Sequence, residues 1–194
     1  DAFAAAHRAH ASTEGVAHQL PSAAGLLMAR EIDILSRLLE EPAQPFIVIL
    51  GGAKISDKIG LVDKFLDQAE LLLVGGGIAN TFLKARGSQV GESLVDNESL
   101  DHARRILDRA GEQLVLPVDV VAADASVHTA VQQVAALHEV PAGWRILDIG
   151  PQTVDLFRNK LALAHTVMWN GPLGLFEETP FAEGTFGIAQ ALAA

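Results

Sequence analysis

The sequence predicts an α/β fold with a doubly wound, mostly parallel sheet, and three observations carry that prediction. Short apolar runs alternate with amphipathic stretches along residues 45–194. The runs do not alternate apolar with polar residues, which is the pattern of strands covered on both faces. Four of them end in glycine or proline: Gly51-Gly52, Gly75-Gly76-Gly77, Gly150-Pro151 and Gly171-Pro172. Parallel neighbours need a crossover, so strand-then-helix repetition reads as a parallel sheet of the Rossmann-like class.

In chain order, residues 1–20 are rich in Ala and His and lack periodicity. Pro21-Ser22 opens a long helical pattern, Ala23 to Glu40, with Leu26, Leu27, Ile32, Leu35, Leu38 and Leu39 near helical spacing. Pro42 and Pro45 end it. Strands are expected at 46–50, 71–74, 114–121, 145–149 and 166–169, and helices at about 57–69, 78–86, 97–111, 152–163 and 181–193. Residues 124–144 interrupt the rhythm and read as an excursion with a small hairpin. In open α/β sheets ligands bind beyond the C-terminal strand ends, so the four glycine-bearing loops should gather around a ligand.

Composition narrows the function classes. A chain of 194 residues fits one domain, or one plus an appendage. It has no Cys, hence no disulfide framework and no thiolate metal site, in keeping with a reducing cytosol. No apolar run approaches the ~20 residues of a membrane span, and no leader pattern opens the chain. It starts at Asp1 and ends in Ala191-Leu192-Ala193-Ala194, which reads as a piece of something longer. The net charge of −10 disfavours nucleic acid as a partner. An acidic protein that holds an anionic metabolite must focus positive charge locally.

Gly51-Gly52-Ala53-Lys54-Ile55-Ser56-Asp57-Lys58 does so. Two glycines let the backbone approach a ligand, a helix start offers N–H groups to an anion, and two lysines four apart share one side of the first turns. A solvated lysine face, with Asp57 as local partner, is the competing reading. The place just past a strand end tips the balance toward a phosphorylated ligand. The Walker pattern Gly-x-x-x-x-Gly-Lys-Ser/Thr fails here, and the Gly-x-Gly-x-x-Gly fingerprint fails at Gly75, where Asn80 stands in the last place. A dinucleotide-dependent oxidoreductase is thereby disfavoured. Neither a His-Glu-x-x-His nor a Gly-x-Ser-x-Gly motif occurs. His7-Arg8-Ala9-His10 is a weak metal pair, a better anion clamp through its guanidinium, or plain surface. Trp169 to Glu177 reads as a tight loop packed by Trp169 and Phe176, or as a ligand loop in which Glu177 takes a ribose hydroxyl and Asn170 a phosphate or sugar oxygen. Asp119 and Asp148, near strand ends, read as structural caps of the loops that follow them. His102, His128, His138 and His165 carry no assignment.

Taken together, these segments resemble phosphoglycerate kinase. The matching stretches are Asp1 to Ser12, Gly51 to Lys58, Gly75 to Leu83, Leu116 to Asp119, Asp148 to Pro151 and Trp169 to Glu177. The resemblance implies a cytoplasmic, monomeric hinge enzyme of glycolysis. One domain would hold 3-phosphoglycerate or 1,3-bisphosphoglycerate, and the other ATP or ADP with Mg²⁺. Residues 1–20 would then be the remnant of the substrate domain, 21–44 the interdomain helix and linker, and 45–194 most of the nucleotide domain. By the same resemblance Arg8 binds the substrate's 3-phosphate, Lys54 steadies the phosphoryl group in flight and Lys58 holds nucleotide phosphates. Gly76 and Gly77 line the phosphate path, Ile146 and Leu147 the adenine pocket, Asn170 and Pro172 border the nucleotide, and Glu177 takes the ribose. Domain closure would bring Arg8 to Lys54 and expel water. The family continues with a strand ending Gly-Gly-Gly-Asp, whose Asp anchors the metal nucleotide, and a later glycine-rich loop. On that footing the sheet is incomplete at one edge, the chain itself supplies no metal ligand, and the isolated chain is inactive. The alternative is a noncatalytic nucleotide-binding fragment or module.

Overall fold

Phe46–Leu50 forms β1, and all five of its residues are buried. An apolar run without a polar face can only be a strand covered on both sides, and the computed structural model, which describes residues 1–125 and 129–194, gives it that setting. β2 (Leu71–Val74) and β7 (Thr166–Asn170) flank β1 in parallel, and β3 (Leu114–Val115) lies parallel outside β2. The order is β3-β2-β1-β7, with β7, half-buried at Thr166–Trp169, at one edge.

Helices α2 (Ile59–Leu66), α3 (Gly76–Ala85), α4 (Leu100–Ala110), α5 (Pro151–Leu161) and α6 (Glu183–Ala193) complete this part. Ile47, Ile49 and Leu73 form one core with Phe157 and Leu161 of α5 and Ile188 of α6. Phe46 of β1 meets Phe65 of α2 edge to face, with ring centroids 5.7 Å apart. Successive residues of β1 thus face different helices, which is the doubly wound arrangement.

The expected strand over 114–121 is two strands. β3 ends at Val115, Leu116-Pro117-Val118 bends the chain, and β4 (Asp119–Ala123) leaves the parallel sheet. Pro117 has no N–H to give a ladder, so a continuous strand through it is disfavoured. β4 pairs antiparallel with β5 (Gln132–Ala136) on one side and β6 (Arg145–Ile149) on the other, forming a second sheet of order β5-β4-β6. β6, expected among the parallel strands, therefore belongs to the antiparallel sheet. The excursion over 124–144 supplies only β5, which forms a hairpin with β4, the strand that ends just before it at Ala123. Ser126, Val127 and His128 of its connection lie outside the described residues.

Helix starts shift by a few residues from the expected ones. Short 3-10 turns at Ser56–Lys58 and Asn97–Ser99 precede α2 and α4, and Gly76-Gly77 enter α3.

Contacts divide the chain into two units, Asp1–Pro42 and Ala43–Ala194. The first holds a 3-10 turn, Phe3–Ala5, a π-type turn, Ala11–Gly15, and α1 (Leu26–Glu40). The amide of Met28, in the first turn of α1, donates to Asp1 Oδ1 at 3.2 Å, so a side chain distant in sequence satisfies a helix-end donor. Asp33 and Arg37 pair at 2.7 Å one turn apart.

Candidate functional site

Three of the four glycine-bearing loops interlock at the C-terminal ends of β1, β2 and β7. Gly51 and Gly52 donate their amides to the carbonyls of Asn170 (2.8 Å) and Pro172 (2.9 Å), and Gly76 donates to Leu173 (2.9 Å). The close approach explains the glycines. A Cβ on Gly51 would stand 1.9 Å from the Pro172 carbonyl oxygen, and one on Gly77 would stand 2.4 Å from that of Ala53. The amides of Gly51 and Gly52 are spent on the neighbouring loop, and Gly52 itself lines the cleft described below. The helix starts later than expected: Lys54 lies before the 3-10 turn Ser56–Lys58, so it and Lys58 do not share helical turns, and the Ser56 amide donates to Asp96 Oδ2 at 3.1 Å. In the first turn of α3 the amides of Gly76 and Ile78 serve Leu173 and Gly52, and the Gly77 amide has no carbonyl partner among the described residues.

The fourth loop, Gly150-Pro151, does not join them. It ends the antiparallel β6 and closes on Asp119, where a Cβ on Gly150 would lie 2.3 Å from the carboxyl carbon. Asp119 accepts from the amides of Gln152 (3.0 Å) and Thr153 (2.7 Å), which are the orphan donors at the start of α5. Asp119 is a cap, but of the distant start of α5 and not of the loop that follows it in the chain.

The interlocked loops, β6 and Pro117 enclose a cleft of about 230 Å³. Of the expected nucleotide residues, Gly76, Gly77, Ile146, Leu147, Pro172 and Glu177 line it. Ile146 and Leu147 enter from β6, so the antiparallel sheet supplies one wall and the parallel sheet's loops the other. Leu175 donates its amide to the Leu147 carbonyl at 2.8 Å and holds the Glu177 loop against that wall. Glu177 is exposed.

Lys58 and Asn170 stand beside the cleft and are brought together. The Lys58 ammonium donates to the Gly51 carbonyl at 2.8 Å and to Asn170 Oδ1. It thus lies over the C-terminal ends of β1 and β7. Lys54 is exposed on the same loop. Two cations and the Gly77 amide therefore border a cleft whose walls are largely apolar, an arrangement suited to a ligand with a flat apolar part and a phosphate tail. Arg8 belongs to the Asp1–Pro42 unit, where its Nε lies 3.3 Å from His7 Nε2 and it lines a depression with Ser12 and Glu14.

Sequence reasoning missed several lining residues. Asn80 and Pro117 fall in segments already singled out, whereas Leu94 sits in an irregular loop without pattern. Asp148 lines the cleft as well and is buried. Its Oδ2 accepts from the Gly184 amide at 2.7 Å, in the first turn of α6, and its Oδ1 from its neighbour Ile149 at 2.9 Å. It caps the start of α6, far along the chain, and not the loop that follows it, the role expected from its place near a strand end. Burial pushes its carboxyl up to about 7, with Glu183 adding to the rise and the two amides opposing it.

Among the described residues no group of three or more His, Asp or Glu gathers to hold a metal ion. Among the described residues no helix is long and apolar enough to cross a membrane.

A family model for phosphoglycerate kinase matches residues 1–194. The phosphoglycerate kinase of Chloroflexus aurantiacus is 53% identical over 196 residues, covering 100% of this chain and 49% of that protein. That of Roseiflexus castenholzii is 54% identical over 196 residues, with 100% and 50% covered. The structure of phosphoglycerate kinase from Coxiella burnetii matches with a TM-score of 0.91 at 46% identity, over 100% of this chain and 51% of that one. The chain spans about half the length of the curated relatives it matches. Matched by the family model from its first residue to its last, and sharing about half its residues with these kinases, the chain belongs to the phosphoglycerate kinase family.

Proposed function

We propose that the protein carrying this chain passes a phosphoryl group reversibly between 1,3-bisphosphoglycerate and ADP, giving 3-phosphoglycerate and ATP. The observation that carries this reading is the family match along residues 1–194. The cleft supports it: apolar walls from Ile146 and Leu147 suit an adenine, and Lys58 and Gly77 lie toward the phosphate end. Glu177 would accept a ribose hydroxyl, Asn170 and Pro172 would border the nucleotide, and Gly76 and Gly77 would line the phosphate path. Lys54 would neutralise the group in transfer, and Arg8 would hold the substrate's 3-phosphate through a guanidinium fork. Transfer from a carboxyl phosphate to ADP needs no general base; it needs alignment and charge neutralisation. Mg²⁺ would enter with the nucleotide. A cytoplasmic setting, without nucleic acid or membrane as partners and with the parent a monomer, belongs to the same proposal.

The test is a coupled assay of the full-length protein with ATP and 3-phosphoglycerate. Turnover that depends on both substrates is expected; its absence sinks the reading. Glu177→Gln should raise the nucleotide KM by about tenfold, the value of one lost ribose hydrogen bond, while leaving the 3-phosphoglycerate KM near wild type.

A further inference from the structure

Lys54 sits between two anchors. On its N-terminal side Gly52 is bonded to Pro172 at 2.9 Å. On its C-terminal side Ile55 is fully buried and the Ser56 amide donates to Asp96 Oδ2 at 3.1 Å. Asp96 comes from the irregular loop before α4, distant in sequence from both glycine loops. Its own amide donates to Thr81 Oγ1 at 3.0 Å, and that hydroxyl donates to the Gly77 carbonyl at 3.0 Å. Thr81 is fully buried on α3. A continuous path therefore runs from Ser56 through Asp96 and Thr81 to Gly77, joining the lysine-bearing loop after β1 to the glycine turn after β2.

From this path we infer that Asp96, seated on Thr81, is a positioning residue that fixes Lys54 relative to the Gly76-Gly77 turn and so sets the rate of phosphoryl transfer. The inference rests on the phosphoryl-transfer reading for its kinetic part and on geometry alone for the tether. A carboxylate suits the task better than a neutral acceptor, since hydrogen bonds to an ionised group are shorter and stronger. Hydrogen bonding from Ser56 holds the Asp96 carboxyl below the usual carboxylate range, so it stays charged across neutral pH. Lys54 is exposed and its stem is flexible, so fixing the backbone on both sides of it leaves only side-chain rotors to order. Asp96 does not line the cleft, and a nucleotide bound there would not need it. Its loss should therefore appear in kcat more than in nucleotide KM.

The experiment uses the full-length protein with Asp96→Ala, Asp96→Asn, Thr81→Val and Thr81→Ser. Hydrogen exchange at the Ser56 amide reads the tether, and steady-state kinetics read its consequence. Asp96→Ala and Thr81→Val should each speed Ser56 exchange by about tenfold or more and lower kcat by roughly tenfold to a hundredfold, with nucleotide KM within about twofold. Thr81→Ser keeps the hydroxyl and should behave as wild type, and Asp96→Asn should fall between. Unchanged Ser56 exchange in Asp96→Ala overturns the tether. Faster exchange with unaltered kcat, or with KM rising in step, overturns its role in turnover. Wild-type protein that passes no phosphoryl group refutes the activity and the kinetic role together, whereas Ser56 exchange still decides the tether.

Discussion

Burying the Asp148 carboxylate is costly, and the amides of Gly184 and Ile149 offset only part of that cost. The consequence is a pH dependence with a definite sign. Unfolded, the group releases its proton near its ordinary value of 3.8; folded, it does so near 7. Between those values the unfolded chain binds fewer protons, so stability falls as pH rises from about 4 to about 7 and levels off above. Asp148→Asn removes the titration. Urea unfolding of wild type and variant across that range should show wild type losing stability relative to the variant as pH rises, and parallel pH profiles would contradict the buried-charge account. That Asp148 would hold backbone amides was legible from its place near a strand end, but not that one of them belongs to α6. Its presence in the cleft wall was not, because that depends on which strand lies across from β6. Lys58 shows the same limit. Its place four residues after Lys54 is written in the chain, but its contact with Asn170 joins residues far apart in sequence.

Elements divide by how local their causes are. β1 and β2 are bounded in the sequence because every residue is apolar and glycine follows directly. The strand read over 114–121 failed at Pro117, the one residue there that cannot donate to a ladder. The glycines of the three interlocked loops were legible as special, but their reason is loop packing as much as ligand approach. Gly51→Ala should therefore cost about 1–3 kcal/mol, the range for forcing atoms into a filled space. Gly60 makes the contrast: a Cβ there meets nothing within 4 Å, and it lies in α2. Gly60→Ala should stabilise by about 0.5–1 kcal/mol. Chemical denaturation measures both, and equal effects would refute the packing explanation. Asp119→Ala uncaps the first turn of α5 and leaves the Thr153 hydroxyl without its carboxylate. The same measurement should show a loss of about 1–3 kcal/mol.

At the scale of the whole molecule, the alternation of strands and helices announced an α/β sheet, but it could not say that β4 and β6 turn aside into a second, antiparallel one. That choice is made by pairing across long stretches of chain, which local periodicity does not encode. The departure has a functional result: β6 faces the loops of the parallel sheet across the cleft instead of extending that sheet. The cleft then holds an apolar wall on one side and, on the other, glycine turns bordered by Lys54 and Lys58. Under the proposed function, this layout would serve transfer of a phosphoryl group stabilised by a fixed cation. Turnover by full-length Lys54→Ala tests it most directly. The account predicts a fall in kcat of roughly a hundredfold or more with nucleotide KM changed little, and a kcat near that of wild type would contradict it.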